Sequence, residues 1–112
     1  MKKIPVANPN FGEKEAKAVF NVVKSGWVTM GKKVKIFEKK IAKFCGTKYA
    51  IATNNGTSSL DALLTAINIK SNDEVIVPSL TYISTANVVL YKRAKLILCD
   101  NDEKTFNTNK NF

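Results

Sequence analysis

From Tyr49 onward the chain alternates short apolar runs with amphipathic segments, and that alternation admits few folds. Residues 49–53, 74–77 and Lys95–Cys99 read as strands. Between the first two, residues 58–68 place Leu60, Leu63, Leu64 and Ile67 at the i, i+3, i+4, i+7 spacing of one helix face. A further helix is expected over residues 82–90, after Pro78-Ser79. Apolar strands joined by helical crossovers call for a parallel sheet covered on both faces. The pattern predicts an α/β fold: N-terminal helices followed by an incomplete, mainly parallel sheet with flanking helices.

The first half reads differently. Pro5 and Pro9 keep residues 1–11 irregular. Ala16, Val19, Phe20 and Val23 then share a helical face, and Ser25-Gly26 supplies the stop. Residues 26–31 form a glycine-bounded loop. A second helix over residues 33–44 is expected to bury Val34, Phe37, Ile41 and Phe44 before Gly46 ends it. A length of 112 residues and an apolar content of 45% suit one domain. There is no internal repeat and no interdomain linker, so residues 1–112 are taken as one truncated domain.

In an open α/β sheet, ligands gather where strands end at their carboxyl side. Residues 54–59, 78–82 and 100–102 occupy such ends. The first of them, within Thr53-Asn54-Asn55-Gly56-Thr57-Ser58-Ser59, feeds hydroxyl residues into a helix start. Two readings stand side by side. Thr57 or Ser58 caps the helix, or the unpaired amides and the helix dipole hold an anion.

Composition narrows the function classes. The formal charge is +9, with eighteen Lys and Arg residues of which Arg93 is the one arginine. Nucleic-acid binders favour arginine and gather charge on one surface. Here the lysines are scattered, and the densest group (Lys32, Lys33, Lys35, Lys39, Lys40, Lys43) follows a helix, which suits a solvated face. No apolar run approaches the roughly 20 residues of a membrane span, and the first residues lack the apolar core of a secretory signal. Cys45 and Cys99 have no metal-ligand spacing and suggest no disulfide framework, so a reducing cytoplasm is the expected location. No metal site is expected.

Several segments, in order, resemble one family. They are Ser25-Gly26-Trp27-Val28-Thr29-Met30-Gly31 and Phe37-Glu38, then Tyr49-Ala50-Ile51-Ala52 leading into Asn55-Gly56-Thr57-Ser58-Ser59-Leu60. The stretch from Asp73 through Pro78-Ser79-Leu80-Thr81-Tyr82 to Asn87, and finally Cys99-Asp100, complete the set. Over residues 4–107 the chain resembles the N-terminal part of the DegT/DnrJ/EryC1/StrS aminotransferases, pyridoxal-phosphate enzymes of fold type I. Many of these aminate keto sugars attached to nucleotides.

The resemblance implies that Gly56, Thr57 and Ser58 hold the cofactor phosphate and that Tyr82 stacks on its ring, burying apolar surface and fixing the ring plane. It places the loop of Trp27, Thr29 and Gly31 on the substrate side, although Trp27 can equally be a core aromatic. It also implies a nucleotide-sugar substrate, an amino-acid donor and a homodimer in the complete enzyme, with a role in amino-sugar, polysaccharide or surface-glycan biosynthesis. The lysine that such chemistry needs, and the acidic partner of the pyridinium nitrogen, lie beyond residue 112 in this family. Neither Lys92 nor Lys95 stands in the family's lysine motif, so no catalytic residue is assigned and the isolated chain is expected to be inactive. The alternatives are a non-catalytic remnant or interaction module of the same fold, a dehydratase variant of the family, and a basic nucleic-acid-binding protein.

Overall fold

A computed structural model of the chain describes residues 3–5 and 7–108. They fall into two compact units, divided between Ala52 and Thr53.

The first unit carries two helices. Helix α1 (Glu13–Lys24) starts at Gly12, whose amide donates to the Glu15 carboxylate at 2.8 Å. That bond also holds the Glu15 carboxyl below its ordinary titration range. The Ser25 hydroxyl donates to the Val22 carbonyl at 2.7 Å, and Gly26 then turns into the left-handed region at φ 71°. Helix α2 (Lys32–Cys45) ends on Gly46, left-handed at φ 67°. The amide of Thr47 closes that end by donating to the Ala42 carbonyl at 2.9 Å.

Both helices depart from the expected burial. The apolar face of α1 lies open, with Val19, Phe20 and Val23 each more than 60% exposed. On α2, Phe37, Ile41 and Phe44 are exposed and Val34 is only half-buried, while Ala42 is its one buried residue. The helical periodicity was sound, but among the described residues nothing covers these stripes. The six α2 lysines are solvated, as a charged outer face requires.

The second unit holds helix α3 (Gly56–Ala66), strand β1 (Glu74–Pro78), helix α4 (Ser84–Tyr91) and strand β2 (Lys95–Cys99). The strands pair in parallel, with Glu74 opposite Lys95 and Pro78 opposite Cys99. Val77, Val89 and Ala94 form the core, and Leu64, Ile69, Val75, Ala86 and Leu96 pack around them. This is a β–α–β crossover with one further helix against it. Helix α4 starts just after the carboxyl end of β1.

The expected strand at residues 49–53 is absent. No ladder partner exists for it among the described residues, and a strand requires one. Its polar groups bond to side chains instead: the Ala52 amide donates to the Glu38 carboxylate at 3.0 Å, and the Thr47 hydroxyl donates to the Tyr49 carbonyl at 3.0 Å. Tyr49 and Ile51 are exposed rather than buried. Among the described residues the parallel sheet therefore has two strands, not three. Among the described residues no helix is long and apolar enough to cross a membrane, and no cluster of three or more potential metal ligands occurs.

Candidate functional site

The start of α3 is built around Asn55. Its extended backbone places the side chain back over the first turn, and Oδ1 accepts the Ser58 amide at 2.9 Å. The cap is therefore Asn55, not Thr57 or Ser58 as the capping reading held. Asn leads the residues that perform this role, so its position one residue before the glycine was a usable signal. The Thr53 hydroxyl donates to the Asn55 carbonyl at 2.9 Å and also meets the Ser59 hydroxyl. With Ser58 capped and the Ser59 amide donating to the Asn55 carbonyl, the amides of Gly56 and Thr57 are left without partners among the described residues. Their N–H groups and the dipole of an eleven-residue helix give this end positive potential.

No acidic side chain lies in the first turn of α3 or of α4. This differs from α1, where Glu15 closes the helix end. Gly56 is not in the left-handed region, and a Cβ placed on it would meet nothing within 4 Å. Its backbone conformation does not demand glycine; what it leaves is open space at an unpaired amide.

Across an open depression from these residues lie Tyr82, Ser84 and Thr85, at the start of α4. Tyr82 is 74% exposed. Ser84 is the one buried polar residue among the described residues, at 8% exposure. The structure thus brings Gly56, Thr57, Ser58 and Tyr82 to one depression and adds Asn55, Ser84 and Thr85, which sequence reasoning missed. The two serine and threonine positions sit one turn after Tyr82, where the sequence shows only ordinary helix-start residues.

Neither lysine weighed from the sequence reaches this place. Lys92, after the last turn of α4, pairs with Asp61 at 2.7 Å and donates to the Thr65 hydroxyl at 2.7 Å. Lys95 pairs with Glu74 at 3.4 Å at the opposite ends of the two strands. In the loop after β2, Asp100 accepts the Asn101 amide at 2.8 Å, and Asp102 accepts the Lys104 and Thr105 amides and the Thr105 hydroxyl. The Thr105 contacts hold the Asp102 carboxyl below its ordinary range. Both aspartates order the loop. Glu103 makes no such bond among the described residues.

A match to the model of the DegT/DnrJ/EryC1/StrS aminotransferase family spans residues 9–111. The chain belongs to that family. GDP-perosamine synthase of Caulobacter vibrioides is 46% identical over 106 residues, which are 94% of this chain and 29% of that protein. An aminotransferase of Psychrobacter cryohalolentis superposes with a TM-score of 0.82 at 38% identity, covering 90% of this chain and 26% of that one. The GDP-4-keto-6-deoxy-D-mannose-3-dehydratase of E. coli, solved with bound hydrated pyridoxal phosphate, gives 0.87 at 29% identity, covering 97% and 30%. This DegT/DnrJ/EryC1/StrS chain thus spans less than a third of the length of these relatives, and its α/β architecture is part of the fold type I architecture.

The segment of Trp27, Thr29 and Gly31 belongs to the first unit. All three line an apolar groove with Val22, Val28 and Met30. The Trp27 indole N–H donates to the Met30 carbonyl at 3.0 Å and closes the loop on itself. Trp27 is 65% exposed, so it is not a core aromatic of this unit. A Cβ on Gly31 would lie 2.4 Å from the indole nitrogen. Gly31→Ala is therefore expected to push the indole off the Met30 carbonyl. Trp27 is the chain's one tryptophan, so its fluorescence reads this directly: a red shift and stronger iodide quenching are expected, with helix content unchanged.

Proposed function

We propose that the chain is the phosphate-holding and ring-holding segment of a pyridoxal-phosphate-dependent aminotransferase acting on a nucleotide-linked keto sugar. In this reading residues 1–112 form the opening part of one large domain, the enzyme is a cytoplasmic homodimer, and its product enters amino-sugar or surface-polysaccharide synthesis. The observation that carries the reading is the pair of unpartnered amides on Gly56 and Thr57, facing a depression free of carboxylates and flanked by an exposed tyrosine. The relatives support it: one bears the name of a GDP-sugar synthase, and another was solved with the cofactor bound.

These residues fit the cofactor's two chemical ends. The Gly56 and Thr57 amides and the Thr57 and Ser58 hydroxyls would hold the phosphate, an anion that needs donors and no competing negative charge. The Tyr82 ring would lie against the pyridine ring and shield one face from water. When bound, the cofactor supplies an electron sink for the carbon that loses its proton. This chain's residues bind and orient; no lysine is among the residues lining the depression, and Lys92 and Lys95 are held in ion pairs at the far ends of their elements. The isolated chain is accordingly inactive, and the Trp27–Gly31 loop serves the substrate side.

The test uses pyridoxamine 5′-phosphate, whose amine cannot condense with the chain's many lysines. Titration followed by cofactor fluorescence is expected to show saturable binding that pyridoxamine without phosphate does not reproduce. Gly56→Ala places a methyl group in open space, so folding is preserved while affinity falls. Equal affinity for the phosphorylated and unphosphorylated ligands would overturn the reading and favour a non-catalytic remnant of the fold. A dehydratase variant would bind the same ligand; it is distinguished by the residue standing at the lysine position of the complete reading frame.

A further inference from the structure

Tyr82 is exposed, yet the backbone on either side of it is fixed. On its C-terminal side the start of α4 holds it: the Thr85 amide donates to the Tyr82 carbonyl at 3.0 Å, and the Thr81 and Thr85 hydroxyls lie 3.2 Å apart. On its N-terminal side the holding group comes from the other strand's loop. The Asn101 Oδ1 accepts both the Leu80 amide at 2.9 Å and the Ser79 hydroxyl at 3.1 Å. The same side chain uses its Nδ2 to donate to the Phe106 carbonyl at 2.8 Å. One planar amide thus joins the end of β1 to the loop after β2, using acceptor and donor at once.

That loop is stiff enough to serve as an anchor. Asp102 accepts three hydrogen bonds within it. The Asp102 amide donates to the Asn107 carbonyl at 2.8 Å, and Asn101 pairs with Thr108 in an isolated antiparallel bridge. The Ser79 amide, donating to the Cys99 carbonyl at 2.8 Å, brings the two loops side by side. Among the described residues, Asn101 is the partner both of the Leu80 amide and of the Ser79 hydroxyl.

We infer that Asn101 is a positioning residue for Tyr82: it clasps Ser79 and Leu80 to the loop at 102–106 and so sets the place of the ring that faces the depression. Its bearing on cofactor geometry rests on the functional reading above. Asparagine is required because the position must accept twice and donate once. Aspartate supplies the acceptors and not the donor, alanine neither.

The clasp is read first without ligand, in the 112-residue chain by NMR. Asn101→Ala is expected to speed exchange of the Leu80 amide about tenfold and to shift the chemical shifts of the Tyr82 ring and of its backbone amide. Asn101→Asp is expected to keep Leu80 protected. Pyridoxamine 5′-phosphate is then added. Asn101→Ala and Tyr82→Ala are both expected to lose at least half of the circular dichroism induced in the bound ligand. Affinity for inorganic phosphate should stay unchanged, which a general loss of folding would not allow. Unchanged Leu80 exchange or unchanged Tyr82 signals in Asn101→Ala would overturn the inference. A wild-type chain that protects Leu80 but binds no pyridoxamine phosphate would instead overturn the functional reading alone.

Discussion

Thr57→Glu is expected to weaken pyridoxamine 5′-phosphate binding roughly a hundredfold while leaving the fold as stable as before, or slightly more so. The two effects have opposite signs because they come from the same field. A carboxylate in the first turn of α3 meets the positive end of the helix dipole, which favours it by about 0.3–1 kcal/mol. The same carboxylate would stand within a few ångströms of a bound phosphate. With an effective dielectric near that of a protein surface, and after screening by salt, the repulsion is on the order of 2–3 kcal/mol. That corresponds to roughly a hundredfold loss of affinity. If Thr57 merely served the helix, the glutamate would be harmless or helpful in every assay. Urea unfolding and ligand titration of the same variant therefore separate a helix cap from an anion site.

Val89→Asp is expected to unfold the second unit. Val89 is 1% exposed and sits with Val77 and Ala94 at the centre of the small core. No cationic side chain belongs to that cluster. An unpaired carboxylate there costs several kcal/mol, against a total stability on the order of 5–15 kcal/mol for an ordinary domain. A unit with so few buried residues lies at the low end. The cooperative transition of residues 53–108 should vanish from urea curves followed by circular dichroism, and with it the depression at α3. Ile97→Asp, at a position 39% exposed, is the control: its carboxylate keeps access to water and should lower the midpoint without removing the transition.

What the sequence showed depended on how far apart the interacting residues lie. Lys95–Cys99 and the core of β1 were legible because an uninterrupted apolar run needs only its neighbours to be recognised. Helices α1 and α2 were legible from periodicity, but their burial was not. An amphipathic stripe says which face should be covered, and only tertiary structure says whether anything covers it. Residues 49–53 failed for the same reason, since a strand is defined by a partner and this one has none among the described residues. The turn at Gly56 is legible in the sequence, but its cap, Asn55, stands two and three residues before Thr57 and Ser58, the hydroxyl residues the motif favours. Asn101 falls within the strand-end segment 100–102, but nothing local marks its partners. Its partners Leu80 and Ser79 stand 21 and 22 residues earlier, and only the pairing of β1 with β2 brings them together.

The two sides of the depression also differ in when they can form. The cap from Asn55 to Ser58 spans three residues, and α3 completes it as soon as its first turns exist. Closing so short a loop costs little entropy, and local contacts form fast. The clasp of Asn101 on Leu80 spans 21 residues and waits for β2 to dock beside β1. On a chain leaving the ribosome at about 5–20 residues per second, the anion-facing end takes shape first and the ring-facing end is latched a second or more later. The two unpartnered amides at Gly56 and Thr57 are thus in place before the clasp of Asn101 on Leu80 can close.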